Sequence, residues 1–358
     1  MKKSKLTIAW RVCALAATAI FISTGCNKQI SETQGPGSQI EGAAVAAASA
    51  EVFVTSGTWT ARVNGVTKYT GTDYIAAIQA ACNNLTAGRT SKELVTIKNS
   101  GSSGNSGGSI KAVNIPSYTI LDFVGTTFNC NSNDLLIVPV QGDRKTQIEV
   151  RNLRVTGNPR YGIWFKGCNN MIISNITMQL TAGLGIRVDH STAATSNLTI
   201  NGNITINGGG THAVETYGLD GFSIGNVTAN NNPGCAVLLN QSRNGSVGTV
   251  TGSFNNNGGG YATFRVANNN GPNVTCAKVY SRNSGRGFFS VSGSNGCTVN
   301  TVDIANNTSH GIFLEDASNT RVNAGTVSGC NPNIQHVRTS SCRTAVNGQV
   351  YTAANGRW

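Results

Sequence analysis

Residues 208–227 read GGGTHAVETYGLDGFSIGNV. Glycines enclose a short alternating strand, Val214-Glu215-Thr216-Tyr217, with His212 just ahead of it. Eight residues after Thr216 comes Ile224, and three further on Val227. The same offsets recur along the chain. Ile163-Trp164-Phe165 leads to Ile173 and Ile176, and Val237-Leu238-Leu239 to Val247 and Val250. Phe289-Ser290-Val291 leads to Val299 and Val302, and Ile312-Phe313-Leu314 to Val322. Ile186-Arg187-Val188 and Phe264-Arg265-Val266 begin units that carry inserted loops. The period is about 23 residues, stretching to about 28, within the range of solenoid repeats.

Short strands with no helical periodicity between them predict an all-β parallel β-helix rather than a leucine-rich horseshoe. Asparagine collects at the turns, at Asn169-Asn170, Asn230 to Asn232, Asn255 to Asn257 and Asn306-Asn307. It tolerates left-handed backbone and can stack its amides, which suits the corners of such a coil.

Upstream, Glu51 to Thr70 alternates around Asn64-Gly65, a hairpin signal. Thr72-Asp73 then caps an amphipathic helix from Tyr74 to Leu85. This helix is expected to close the N-terminal end, where unpaired strand edges would otherwise be exposed. The expected organisation is one β-helix domain over 51–358, with its cap over about 51–110.

The first 26 residues look like an export signal. Lys2, Lys3, Lys5 and Arg11 precede an apolar run, Cys13 to Ile22, too short to span a membrane. Ser23-Thr24-Gly25-Cys26 resembles a lipobox, with Cys26 as the lipidated residue. Residues 27–50 read as a flexible tether. The expected location is outside the cytoplasm: an outer-membrane lipoprotein, periplasmic or at the cell surface, or else secreted. The chain carries a net charge of +12; without residues 1–26 there remain 23 basic against 15 acidic residues, a net +8. That balance suits a polyanionic partner such as an acidic polysaccharide. Lys and Arg are scattered and aromatics few, which argues against nucleic acid. Eight cysteines follow residue 26, without zinc-like spacing; Cys330 and Cys342 are the best candidates for a disulfide.

The segment Ile115-Pro-Ser-Tyr-Thr-Ile-Leu-Asp122, the asparagine corners and the coil spacing resemble the right-handed β-helix proteins of the pectin-lyase-like superfamily, over about residues 90–345. The resemblance implies a right-handed solenoid whose outward sheet serves as a substrate cleft. Activities in that superfamily include lyases, glycosidases and epimerases.

Strand alternation predicts which side chains face that cleft. Trp164, Arg187, Glu215, Leu238, Arg265, Ser290 and Phe313 fall in one outward row, and Lys166, Asp189, Tyr217, Asn240 and Glu315 in the next. His190, His212 and Arg286 flank the rows. Eliminating across a uronic acid needs its carboxylate neutralised, a base for the C5 proton and an acid for the leaving oxygen. Arg187 and Arg265 bracket Glu215 and could clamp the carboxylate, while Tyr217 and His212 could serve as acid and base. Lys166, Asp189, His190, Trp164, Asn240 and Arg286 would bind substrate. A glycoside hydrolase using Asp189 and Glu215 is the alternative, and a non-catalytic glycan-binding protein is another. No cofactor is assigned. Ca2+ stays open, although the groove offers only two carboxylates. The expected protein is a monomeric polysaccharide lyase acting on a uronate-containing glycan.

Overall fold

The computed structural model describes residues 48–256 and 259–358. The expected signal, Cys26 and nearly all of the 27–50 tether lie outside the described residues.

Within them the chain winds into an all-β parallel solenoid of about 10 turns with a single helix. One sheet has 20 strands and the other 11. The shorter sheet is parallel except for its last strand, Gly356–Arg357. Its strands stack in the register that the spacing implies. Ile163 pairs with Ile186, Ile186 with Val214, Val214 with Val237, and Val237 with Phe264. Phe264 then pairs with Phe288, and Phe288 with Ile312.

One continuous core fills the coil. Ile163, Phe165, Ile186, Val188, Val214, Val237, Leu239, Phe264 and Val266 are fully buried on the short sheet. Ile173, Ile176, Ile224, Val227, Val299 and Val302 meet them from the long sheet. Each such side chain contributes roughly 1.5–3 kcal/mol by leaving water. An exposed ion pair gives at most about 1 kcal/mol, so the stacked apolar ladder is what holds the coil.

One rung departs from the expected register. Phe288 and Ser290 point inward, and Phe289 faces out, level with Arg265 and Phe313. The Ser290 hydroxyl finds Thr320 at 3.3 Å inside the coil. Phe288, Phe289 and Val291 are all apolar, so alternation is ambiguous there. Phe289 belongs to a second apolar cluster, with Leu238, Ala267 and Phe313, on the outer side of the sheet.

The corners behave as asparagine chemistry dictates. Asn170, Asn231, Asn256 and Asn306 all take positive φ. Asparagines at the corners also form amide ladders between coils: Asn175 to Asn152 at 3.1 Å, Asn232 to Asn255 at 3.1 Å, and Asn319 to Asn295 at 2.8 Å.

At the start, the strand Ser49–Thr55 begins inside the stretch expected as a tether, because Ala48 and Ala50 are buried and the strand pairs with Glu93–Ile97. The helix Tyr74–Asn83 is capped by Asp73, whose Oδ1 accepts from the Ala76 amide at 3.0 Å. Tyr74 lies 4.5 Å from the Trp59 ring and 5.1 Å from the Phe128 ring. Its ring rests on Gly101, where a Cβ would come within 2.5 Å. Cys330 and Cys342 form no disulfide. All eight described cysteines are free thiols, seven of them buried, and the Cys342 Sγ donates to the Ala317 carbonyl at 3.3 Å.

Candidate functional site

The short sheet presents its polar side chains in lines, because each strand repeats the residue positions of the one before. Gln141, Trp164, Arg187, Glu215, Leu238, Arg265, Phe289 and Phe313 are in register along the middle line. Asp143, Lys166, Asp189, Tyr217 and Asn240 form the line toward the strand ends. His212, Arg286 and His310 each sit two residues before a strand, on the opposite margin.

The middle of the sheet holds a closed ion cluster. Arg187 bridges Asp189, at 3.0 Å through Nε, and Glu215. Asp189 also accepts from the Trp164 indole at 2.9 Å and from the Ser191 amide and hydroxyl. Glu215 accepts from Asn240 at 2.9 Å, and Asn240 from Asn268 at 2.9 Å. All four carboxylate oxygens therefore have protein partners. The two side chains are 4% and 9% exposed. Arg187 is thus committed to Asp189 and Glu215 rather than standing beside Arg265 as a second clamp for a substrate carboxylate. Burial pushes the Glu215 carboxyl above its ordinary range, despite Arg187 and Asn240. Burial acts the same way on Asp189, but hydrogen bonds from Ser191, Trp164 and Arg187 outweigh it and hold that carboxyl low.

Arg265 does not reach Glu215, since Leu238 stands between them in the ladder. Its guanidinium lies over two rings, Tyr261 at 5.0 Å and Phe289 at 5.2 Å. Arg286 lies over Phe289 at 4.3 Å and Phe313 at 5.1 Å. It donates to the Gly260 carbonyl. Among the described residues neither arginine has a carboxylate partner within ion-pairing distance, and the buried Nε of each lacks a hydrogen bond. Burial and the neighbouring Arg265 charge both push the Arg286 pKa down.

His212 completes this half of the site. Its ring meets Tyr261 edge-on at 4.9 Å. Its Nδ1 accepts from the Cys235 amide at 2.9 Å, so the neutral ring carries its proton on Nε2 and acts as a donor. Burial, then Arg265 and Arg187, lower its pKa to about 4. The ring rests on Gly234, where a Cβ would stand 2.3 Å from Nδ1. His212, Arg187 and Glu215 edge a depression of about 470 Å3, walled by Leu135, Tyr161 and Leu184.

The structure does not bring Tyr217 to His212. Tyr217 sits at the far end of the strand, 5.4 Å from the His190 ring and 5.8 Å from the Arg187 guanidinium. Lys166 pairs with Asp143 at 3.2 Å and lies over Trp164 at 4.7 Å. Glu315 pairs with Arg338 at 3.3 Å. Among the described residues no group of three or more His, Cys, Asp or Glu side chains is placed to hold a metal ion.

No known family model matches the chain, and no curated protein matches it. Among solved structures, the A-module of mannuronan C-5 epimerase AlgE6 from Azotobacter vinelandii is similar, with a TM-score of 0.51 and 15% identity. The match covers 78% of this chain and 80% of that one. The enzymatically active domain of tailspike protein 2 from bacteriophage CBA120 gives a TM-score of 0.48 and 12% identity, over 76% of this chain and 44% of that one. The fold is a parallel β-helix.

Within this β-helix, sequence reasoning missed Tyr261, Phe289, Gln141 and Asp143. Tyr261 follows Gly258-Gly259-Gly260 outside any strand, so no alternation rule reaches it. Gln141 and Asp143 end the strand Ile137–Asp143, whose apolar start and Pro139 hide its outward positions. Their signal was present: they lie one unit upstream of Trp164 and Lys166.

Proposed function

We propose that the protein cleaves an acidic, uronate-containing polysaccharide by β-elimination on the outer face of the short sheet. The observation that carries this reading is the Arg265–Arg286 pair. Two half-buried guanidiniums, both over the Phe289 ring and without a carboxylate partner among the described residues, form a receptor for an anionic sugar.

In this reading the sugar carboxylate lies against Arg265 and Arg286. Its neutralisation acidifies the C5 proton. Tyr261, held between His212 and Arg265 and acting as its phenolate, takes that proton, and the electron pair forms the C4–C5 double bond as the C4–oxygen bond breaks. His212 keeps its proton on Nε2 and donates a hydrogen bond to the substrate. The leaving oxygen then takes the proton from the Tyr261 hydroxyl so formed, which restores the phenolate. Trp164, Lys166, His190 and Asn240 would contact sugars away from the scissile bond. The reading includes a right-handed coil whose N-terminal end is plugged by the helix Tyr74–Asn83. It also includes export, anchorage through Cys26, and a monomer.

Hydrolysis through Asp189 and Glu215 fits less well. Their pKa values are pushed apart, as an acid and a base require. Their oxygens, however, are all committed within the protein.

Incubation with uronate polymers tests the proposal, with expected growth of ultraviolet absorbance from the unsaturated product. Deuterium entering C5 from solvent without that absorbance would mean the proton returns to the sugar. New reducing ends without absorbance would mean hydrolysis, and binding with neither would mean a glycan receptor. Tyr261→Phe and Arg265→Ala are each expected to lower turnover at least about 100-fold. Full activity in both refutes the assignment.

A further inference from the structure

A second arrangement lies two coils beyond Arg265, on the margin that carries His212 and Arg286, and is used by nothing above. His310 stacks on the Phe313 ring at 4.3 Å and 14°. Its Nδ1 is 2.7 Å from the Ser309 hydroxyl and its Nε2 is 2.6 Å from the Gln335 side-chain oxygen. The two bonds agree on one proton arrangement. A carbonyl oxygen can only accept, so Nε2 carries the proton and Nδ1 is left to accept from the Ser309 hydroxyl. That is the tautomer a general base needs toward a nucleophile, with a third group fixing the ring.

We propose that Ser309, His310 and Gln335 form an ester-cleaving site that removes O-acyl groups from the hydroxyls of a glycan bound along the sheet. The backbone amide that follows a nucleophile is a regular donor to a developing oxyanion. Here it is the His310 N–H, which has no hydrogen bond among the described residues. Arg286, which lies over the same Phe313 ring as His310, supplies a nearby positive charge. Burial keeps His310 below its ordinary pKa and so neutral at neutral pH. Ser309 and Gln335 are both half-buried and so remain open to a small acyl group.

The chemistry balances with water as the only co-reactant. The Ser309 oxygen attacks the acyl carbon as its proton passes to Nδ1 of His310. The tetrahedral intermediate collapses, the bond from the acyl carbon to the sugar oxygen breaks, and that oxygen takes the proton from Nδ1. Water then repeats the sequence on the acyl-serine, releasing a carboxylic acid and restoring the hydroxyl. The site shares Arg286 with the uronate reading but not the reacting groups, which there are Tyr261 and His212 and here Ser309 and His310, so either can fail alone.

The full chain is treated with a fluorophosphonate, and the modified residue is mapped by mass. Acetate release from an acetylated uronan is followed in parallel. The expected results are a label on Ser309 and at least a 100-fold loss of acetate release in Ser309→Ala, with unchanged melting and unchanged uronan binding. Gln335→Glu, which still accepts from Nε2, should keep most of the rate, and Gln335→Leu should lose it. Absence of a label on Ser309, no acetate release by the wild-type chain, or wild-type release by Ser309→Ala overturns the proposal.

Discussion

Replacing Arg187 with methionine removes a guanidinium and keeps much of its bulk. Asp189 and Glu215 would then lie diagonally across neighbouring rungs, 4% and 9% exposed, with no cation between them. Diagonal neighbours on adjacent strands stand about 7–8 Å apart. Two like charges at roughly 7 Å, in an effective dielectric of about 20, repel by about 2 kcal/mol. Breaking a buried ion pair usually costs about 3–5 kcal/mol, the remainder coming from two buried carboxylates left without their cation. Urea unfolding followed by circular dichroism should show that loss at pH 7 with little change in slope. The pH dependence gives a second check. Burial already raises the Glu215 pKa in the folded protein, and losing Arg187 raises it further. A raised pKa contributes stability that is present below the unfolded value and lost as pH rises through the folded value. The penalty should therefore shrink between pH 7 and pH 4. Adding Glu215→Gln to Arg187→Met should recover at least about 2 kcal/mol at pH 7. A loss below about 1 kcal/mol, or a penalty indifferent to pH, would refute the account of these three residues as a structural cluster.

Arg265→Ala and Arg286→Ala should each weaken uronan binding about 10-fold or more, with a smaller salt dependence than the wild-type chain; calorimetry at two salt concentrations checks this. His212, at about 4 in the folded state against 6.5 unfolded, contributes stability that is lost as pH falls through that window. The loss is about 3 kcal/mol, and His212→Gln should flatten the acid limb of the unfolding curve. Gly234→Ala should push the His212 ring out of place, because the added Cβ would meet Nδ1 at 2.3 Å. Turnover should fall well before melting does, and unchanged kinetics would show that the ring position does not matter.

The coil was legible because its core residues are spaced by geometry. Thr216 to Ile224 and Val227 repeats as Leu239 to Val247 and Val250, and all the aliphatic members are buried. The outward face was legible where strands alternate cleanly, as at Arg187 and Glu215. It failed at Phe288-Phe289-Ser290, where an apolar cluster on the outer side makes the exposed position as greasy as the core. The partners of most side chains were not legible, although inter-rung spacing already allows an Arg187–Glu215 pair. Charge and spacing place Arg187, Asp189 and Glu215 together, but only packing decides that they consume one another while Arg265 and Arg286 stay unpaired. Tyr261 was invisible for a different reason: it enters the site from a loop, and loops carry no period.

The antiparallel pairs at the two ends of the coil have a consequence for how the protein comes apart. Strands Ser49–Thr55 and Thr58–Val63 close one end, and Gln349–Tyr351 and Gly356–Arg357 cover the other. Every coil between them is held by two neighbours, and asparagine ladders tie many of those junctions. Opening a middle coil would sever two junctions at once, whereas fraying from a terminus severs one at a time. Heat or protease should therefore strip the solenoid inward from its ends. Arg187, His212, Tyr261, Arg265 and Arg286 lie in the central coils, the last to lose their shape, so a partly frayed molecule would keep its working face.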